Sequence, residues 1–205
     1  MIGIILWALN PAHSLATPEK QMPLIIAFGD SLTAGYGVPV GETFPALLQD
    51  KIREKGYRYR VVNSGISGET TSGGLSRISD IIRERPEIVI LELGANDGFR
   101  GAPLDLIRSN LSRSIERLQK ENIKILLAGM RIPPNYGETY TSGFHRIYVD
   151  LASKYHVRLI PFLLDGVAAD ERLNQGDGIH PTSEGYKTVS ETVWHYLEPM
   201  LSKPR

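Results

Sequence analysis

Leu24-Ile25-Ile26-Ala27-Phe28-Gly29-Asp30-Ser31-Leu32 is the stretch on which the reading of the whole chain turns. Five apolar residues end at a glycine, and two polar residues follow. An unbroken apolar run of this length suits a strand buried on both faces, because a half-exposed strand would alternate. Four further runs of the same kind occur at residues 59–62, 88–93, 123–128 and 157–162, each closed by Gly, Asn or Pro. The stretches between them carry helical spacing. Phe44, Leu47, Leu48 and Ile52 share one face, as do Leu104, Ile107, Leu111, Ile115 and Leu118. Gly56 is placed to close the first of these helices. Residues 184–197 predict a final helix with Tyr186, Val189, Val193 and Leu197 turned inward. Alternating strands and helices imply an α/β fold with a parallel sheet covered on both faces. Ligands of such sheets bind beyond the carboxyl ends of the strands.

Composition narrows the function classes. The 205 residues hold 23 basic and 23 acidic side chains, so no net field draws the chain to nucleic acid or an anionic membrane. The densest charged stretch, Lys51-Ile52-Arg53-Glu54-Lys55, mixes both signs. Cysteine is absent, which excludes a thiol nucleophile, disulfides and thiolate metal sites. Residues 1–9 are apolar and Ser14-Leu15-Ala16 offers small residues of the kind a signal peptidase reads, although no Lys or Arg precedes Lys20. Residues 1–16 therefore read as an export signal or as an N-terminal arm, and residues 17–205 as one domain. The apolar opening is too short to span a bilayer, which takes roughly 20 residues.

Four segments carry candidate chemistry. Gly29-Asp30-Ser31-Leu32 follows the first strand, and a helical turn beginning near Leu32 would favour developing negative charge. Taken alone, Asp30 or Ser31 is better read as a helix cap. Asn63-Ser64-Gly65-Ile66-Ser67-Gly68 follows the second strand, and the Gly68 N–H is a candidate donor to an oxyanion. Gly94-Ala95-Asn96-Asp97-Gly98 follows the third. There the Asn96 carboxamide is a second such donor, with an Asn-Asp-Gly turn as the plain alternative. Asp97 reads as a loop-stabilising acceptor. Asp177-Gly178-Ile179-His180-Pro181 precedes the last helix. Its spacing lets Asp177 fold back on one ring nitrogen of His180 and leaves the other for a hydroxyl. Pro181 suits the first position of the helix that follows. His145, His156 and His195 have no metal-binding spacing, so neither metal nor cofactor is expected. Neither a nucleotide-binding Gly-rich motif nor a Gly-x-Ser-x-Gly elbow occurs.

In this order, the four segments resemble the conserved blocks of the SGNH hydrolase (GDSL esterase/lipase) superfamily. Ile66-Ser67-Gly68-Glu69-Thr70, Leu91-Glu92-Leu93-Gly94 and Arg131-Ile132-Pro133-Pro134-Asn135-Tyr136-Gly137 are similar to its bacterial periplasmic acyl-thioesterase/lysophospholipase/arylesterase subgroup. The resemblance implies a three-layer α/β/α sandwich around a five-stranded parallel sheet, flavodoxin-like in arrangement. It also implies a triad of Ser31, His180 and Asp177, with an oxyanion hole from Ser31 N–H, Gly68 N–H and the Asn96 side chain. Residues 97–103 would form a loop that moves on acyl binding. Asp30, Gly98, Phe99, Ile132, Pro133, Tyr136 and Ile179 are the residues expected to meet substrate. The expected partner is a small acyl ester or thioester, handled by a periplasmic or secreted monomer with no nucleic acid and no stable membrane insertion. A carbohydrate O-acetyl esterase is the alternative enzyme, and a non-catalytic lipid- or glycan-binding module is the remote one.

Overall fold

Strand β1 (Leu24–Gly29) is buried along its whole length, as its unbroken apolar run requires. The computed structural model describes residues 22–202, so the export-signal reading of residues 1–16 lies outside the described residues. β1 pairs in parallel with β2 (Arg60–Gly65) on one side and with β3 (Ile88–Glu92) on the other. β4 (Lys124–Ala128) and β5 (Arg158–Ile160) extend the sheet beyond β3, giving the order β2-β1-β3-β4-β5. The chain leaves β1 for one edge and then returns to its other side. Such a reversal opens a crevice at the carboxyl ends of the two strands where it occurs. Those ends are Gly29 and Glu92, which pair in register.

Seven helices dress the sheet among the described residues. α1 (Ser31–Ala34), α2 (Phe44–Glu54), α3 (Thr71–Arg83), α4 (Ala95–Phe99), α5 (Leu104–Lys120), α6 (Glu138–Tyr155) and α7 (Ser183–Leu197) follow in chain order. α2 packs on α7, while α5 packs between α3 and α6, so two helical layers enclose the strands. Phe44, Leu48 and Ile52 of α2, and Ile107, Leu111, Ile115 and Leu118 of α5, are fully buried. At about 25 cal/mol per Å² of apolar surface, these faces supply much of the drive to form the sandwich.

Several local expectations shift. β2 runs on through Asn63 and Ser64, because at the sheet edge its backbone still pairs with Ala27 and Phe28 while its side chains stay partly exposed. Pro181 is not the first helical residue. It forms a bridge with Asn174, and Thr182 caps α7 by accepting the Gly185 N–H at 3.2 Å. Gly56 closes α2 as expected, one residue beyond the cap, with φ +77° and its N–H on Arg53 O at 2.9 Å. Asn96 sits inside a helical turn, α4, rather than a simple loop, so the segment 97–103 begins in helix.

Candidate active site

α1 is one turn long, and its start fixes Ser31. Asp30 caps it by accepting the Leu32 N–H at 3.0 Å, which is the role the cap reading gave it. Ser31 is 9% exposed. The last α7 approach brings His180 against it, with Nε2 2.8 Å from Ser31 Oγ. His180 Nδ1 stands 2.6 Å from Asp177 Oδ2. Asp177 Oδ1 accepts the backbone N–H groups of Ile179 at 2.9 Å and His180 at 3.0 Å. Burial opposes charge on Asp177, but the His180 N–H, the His180 ring and the Ile179 N–H outweigh it and take the carboxyl down to about 2. An ionised Asp177 keeps the proton of the neutral ring on Nδ1, so Nε2 faces Ser31 as an acceptor.

Two groups that the sequence did not single out hold this relay. The Tyr36 ring packs on the His180 imidazole at 4.8 Å between centroids. Gln175 donates from Nε2 to Tyr36 O at 2.7 Å and to Pro181 O at 2.9 Å, and its N–H bonds His180 O at 2.7 Å. It therefore ties the His180 loop to the segment that follows Ser31. No local spacing announces either residue, because both act across folded loops.

Behind Ser31 lies a carboxyl pair. Glu92 is fully buried, and its Oε2 accepts the Asp30 N–H at 3.1 Å and the Thr33 hydroxyl at 2.8 Å. Burial and then the neighbouring Asp30 charge push Glu92 well above the usual carboxyl range. Burial also lifts Asp30, to about 6, against the Leu32 N–H and other donors that favour its charge. Asn96 Nδ2 donates to Asp30 Oδ2 at 3.2 Å and to Glu69 O at 3.0 Å. Gly68 has φ +80° and open space where a Cβ would stand. Asp97 turns away from Ser31 and accepts the Thr71 N–H at 2.8 Å and the Thr71 hydroxyl at 2.7 Å, fastening α4 to the start of α3.

Ser31, Gly68, Asn96 and His180 open onto a cavity of about 520 Å³. Phe99, Met130, Ile132, Pro133, Phe162 and Leu164 make its walls chiefly apolar, with Ile179 at the mouth beside His180 and Ala168 also on the wall. Three residues expected to meet substrate stand elsewhere. Asp30 is fully buried beneath Ser31, and no part of it lines the cavity. Gly98 lets α4 approach Ile132, since a Cβ there would stand 2.8 Å from its methyl group. Tyr136 sits behind the wall, donating its hydroxyl to Phe99 O at 3.0 Å.

This geometry has counterparts in known proteins. The family model described as GDSL-like Lipase/Acylhydrolase family matches residues 27–188. The chain belongs to that family. Among its relatives, "Esterase TesA" of Pseudomonas aeruginosa is 38% identical over 188 residues, covering 91% of this chain and 94% of that one. "Thioesterase 1/protease 1/lysophospholipase L1" of Escherichia coli (strain K12) is 35% identical over 179 residues, 87% of this chain and 85% of that one. The esterase EstA from Pseudoalteromonas sp., solved inhibited by monoethylphosphonate, superposes with a TM-score of 0.83 at 31% identity, over 86% of this chain and 97% of that one. The α/β fold expected from strand and helix alternation is thus the SGNH hydrolase fold, and the chain is an ester hydrolase of this GDSL type. No described helix is long and apolar enough to cross a membrane.

Proposed function

We propose that the chain hydrolyses carboxylic esters and thioesters through an acyl-enzyme on Ser31. The continuous Asp177–His180–Ser31 linkage, opening on an apolar cavity, carries this reading. His180 Nε2 takes the Ser31 proton as Oγ attacks the acyl carbonyl, and Asp177 stabilises the imidazolium that forms. The carbonyl oxygen becomes an oxyanion facing the N–H groups of Ser31 and Gly68 and the Asn96 carboxamide. Collapse breaks the bond to the alcohol or thiol, which leaves with the proton from His180. Water then attacks the acyl-Ser31 ester, giving its proton to His180, and Ser31 departs with that proton as the carboxylic acid is released.

Walls of Phe99, Ile132 and Phe162 favour an acyl chain of short to medium length over a sugar ring. Phosphonates resemble the tetrahedral intermediate of ester hydrolysis, and the inhibited state of EstA supports the same chemistry here. The apolar opening of residues 1–9 and the small residues at 14–16 support a periplasmic location and a mature domain beginning near residue 17, which N-terminal sequencing of the exported protein tests. The decisive experiment compares wild type and Ser31→Ala on p-nitrophenyl butyrate, an acyl-coenzyme A thioester, a lysophospholipid and acetyl-xylan. Wild type is expected to cleave the first two and Ser31→Ala neither. Turnover by pure Ser31→Ala rejects the nucleophile, and preferential release of acetate from xylan moves the substrate class to carbohydrate esters.

A further inference from the structure

Arg77 projects from α3 beneath the loop that joins β2 to α3, with 17% of its side chain exposed. The hydrolytic steps above make no use of it. Nε donates to Glu69 Oε1 at 2.6 Å and Nη2 donates to Glu69 Oε2, a forked pair on a carboxylate whose side chain is 7% exposed. Nη1 donates to Ser64 Oγ at 2.9 Å, and Nη2 reaches Ser64 O at 2.8 Å and Gly29 O at 3.4 Å. The guanidinium carbon lies 4.2 Å from the centre of the Phe28 ring. A solvated ion pair on a helix face would show none of this convergence, and would contribute little.

The groups so gathered adjoin the oxyanion site. Gly29 O lies two residues before Ser31. Glu69 follows Gly68 directly, and its carbonyl accepts Asn96 Nδ2 at 3.0 Å. One guanidinium thus grips the end of β1, the end of β2 and the loop bearing Gly68, and through Glu69 it steadies Asn96. We propose that Arg77 is a positioning residue for the oxyanion hole, holding the Ser31, Gly68 and Asn96 donors in a single geometry from the far side of the loop. This rests on the roles given above to those three residues. The chemistry requires arginine. Its planar fork serves a carboxylate and two carbonyls at once, whereas a lysine ammonium on a flexible stem cannot satisfy the same set. Because the held groups act on the transition state, loosening them lowers turnover more than substrate binding.

Arg77→Lys, Arg77→Ala and Glu69→Gln test this on p-nitrophenyl butyrate. The concentration of competent sites is titrated to completion with a fluorophosphonate, and thermal unfolding is followed in parallel. Per titrated site, Arg77→Lys is expected to lose about 10- to 100-fold in kcat, within the range for a misplacement of about 1 Å, with KM nearly unchanged. Glu69→Gln is expected to lose less, about 10-fold, because its carboxamide keeps one acceptor for the fork. A purely structural role would lower the melting temperature and the titrated fraction while leaving kcat per site intact, and that result overturns the proposal. If Arg77→Ala does not fold, the other two variants decide, and unchanged kcat in both rejects the positioning role. Activity surviving in Ser31→Ala instead rejects the underlying site, so the two failures are separable.

Discussion

Asn96 Nδ2 donates to Asp30 Oδ2 at 3.2 Å, directly beneath Ser31. Its other hydrogen is directed to Glu69 O at 3.0 Å. A carboxamide nitrogen carries two hydrogens, so donation to an oxyanion must draw on one of these bonds. The longer bond, to Asp30, is the one a developing oxyanion can share or replace. In the free protein, Asp30 therefore keeps Asn96 aimed at the site before any substrate arrives, and preorganised donors of this kind incur little reorganisation at the moment of reaction.

Asn96→Ala should accordingly lower kcat by about 10²–10³-fold with little change in KM, the usual scale for loss of one oxyanion donor. Steady-state kinetics on p-nitrophenyl butyrate checks it. A rise in KM at unchanged kcat would assign Asn96 to ground-state binding instead.

Asp177→Asn should cost about 10⁴-fold in kcat, because the amide no longer holds the imidazole proton on Nδ1 and Nε2 loses its readiness to accept from Ser31. In wild type the Asp177 carboxyl, at about 2, stays ionised through the mildly acidic range. Protonation of Asp177 should therefore contribute nothing to any change in activity between pH 7 and pH 5. A carboxyl-resolved NMR titration checks this, and an Asp177 midpoint above pH 5 would overturn it.

Glu92 should make the protein less stable as pH rises. Unfolded, its carboxyl loses its proton near 4.5, whereas burial and the Asp30 charge keep the folded group protonated well above that value. Between those values the folded state binds the extra proton, so its stability falls with increasing pH. Glu92 acts in company with Asp30, Tyr148 and Tyr186, which share its surroundings. Glu92→Gln removes the titration and leaves Asp30 and Thr33 an acceptor. Its melting temperature relative to wild type should climb from pH 5 to pH 9, read by calorimetry. A constant difference across that range would show that Glu92 does not titrate there.

Ala168→Trp should shorten the acyl range, since Ala168 lines the cavity with Phe162 and Leu164. Each methylene that loses its place forfeits about 0.8 kcal/mol, or roughly 4-fold in kcat/KM. The octanoate ester should therefore suffer far more than the acetate. Equal losses on both would mean that the chain lies elsewhere.

Gly65→Ala should destabilise by about 1–3 kcal/mol, the range for forced overpacking. A Cβ at Gly65 would overlap the backbone nitrogen of Ala34, at the end of the turn that carries Ser31. Denaturant unfolding checks it, and a neutral result would show that α1 yields freely.

Much of this was legible in the sequence, for physical reasons that differ by residue. The buried parallel strands declare themselves because both faces must be apolar, so residues 24–28 and 88–93 could hardly be anything else. Asp177 and His180 are readable because their contact is local: three positions bring the carboxylate onto the ring. Arg77, Gln175 and Tyr36 were not legible. Each works through folded neighbours, as when Gln175 meets Tyr36 O from 139 positions away, and no periodicity encodes such a meeting. The resemblance puts Asp30, Gly98 and Tyr136 among the substrate contacts. Side-chain direction, which sequence proximity does not give, sends Asp30 and Tyr136 behind the wall, and Gly98 has no side chain to offer because α4 packs too closely on Ile132 and Phe144 there.

Ser31 and His180 meet across 149 positions of chain. During synthesis the proposed nucleophile emerges 149 positions before its proposed base. A growing or incompletely folded chain therefore carries a serine with ordinary alcohol reactivity, and no acyl group is at risk from it. On the proposed mechanism, hydrolysis begins only when the His180 loop docks on Ser31 and Gln175 fastens it to Tyr36. Assembly of the triad and the onset of hydrolysis are, on that mechanism, one event.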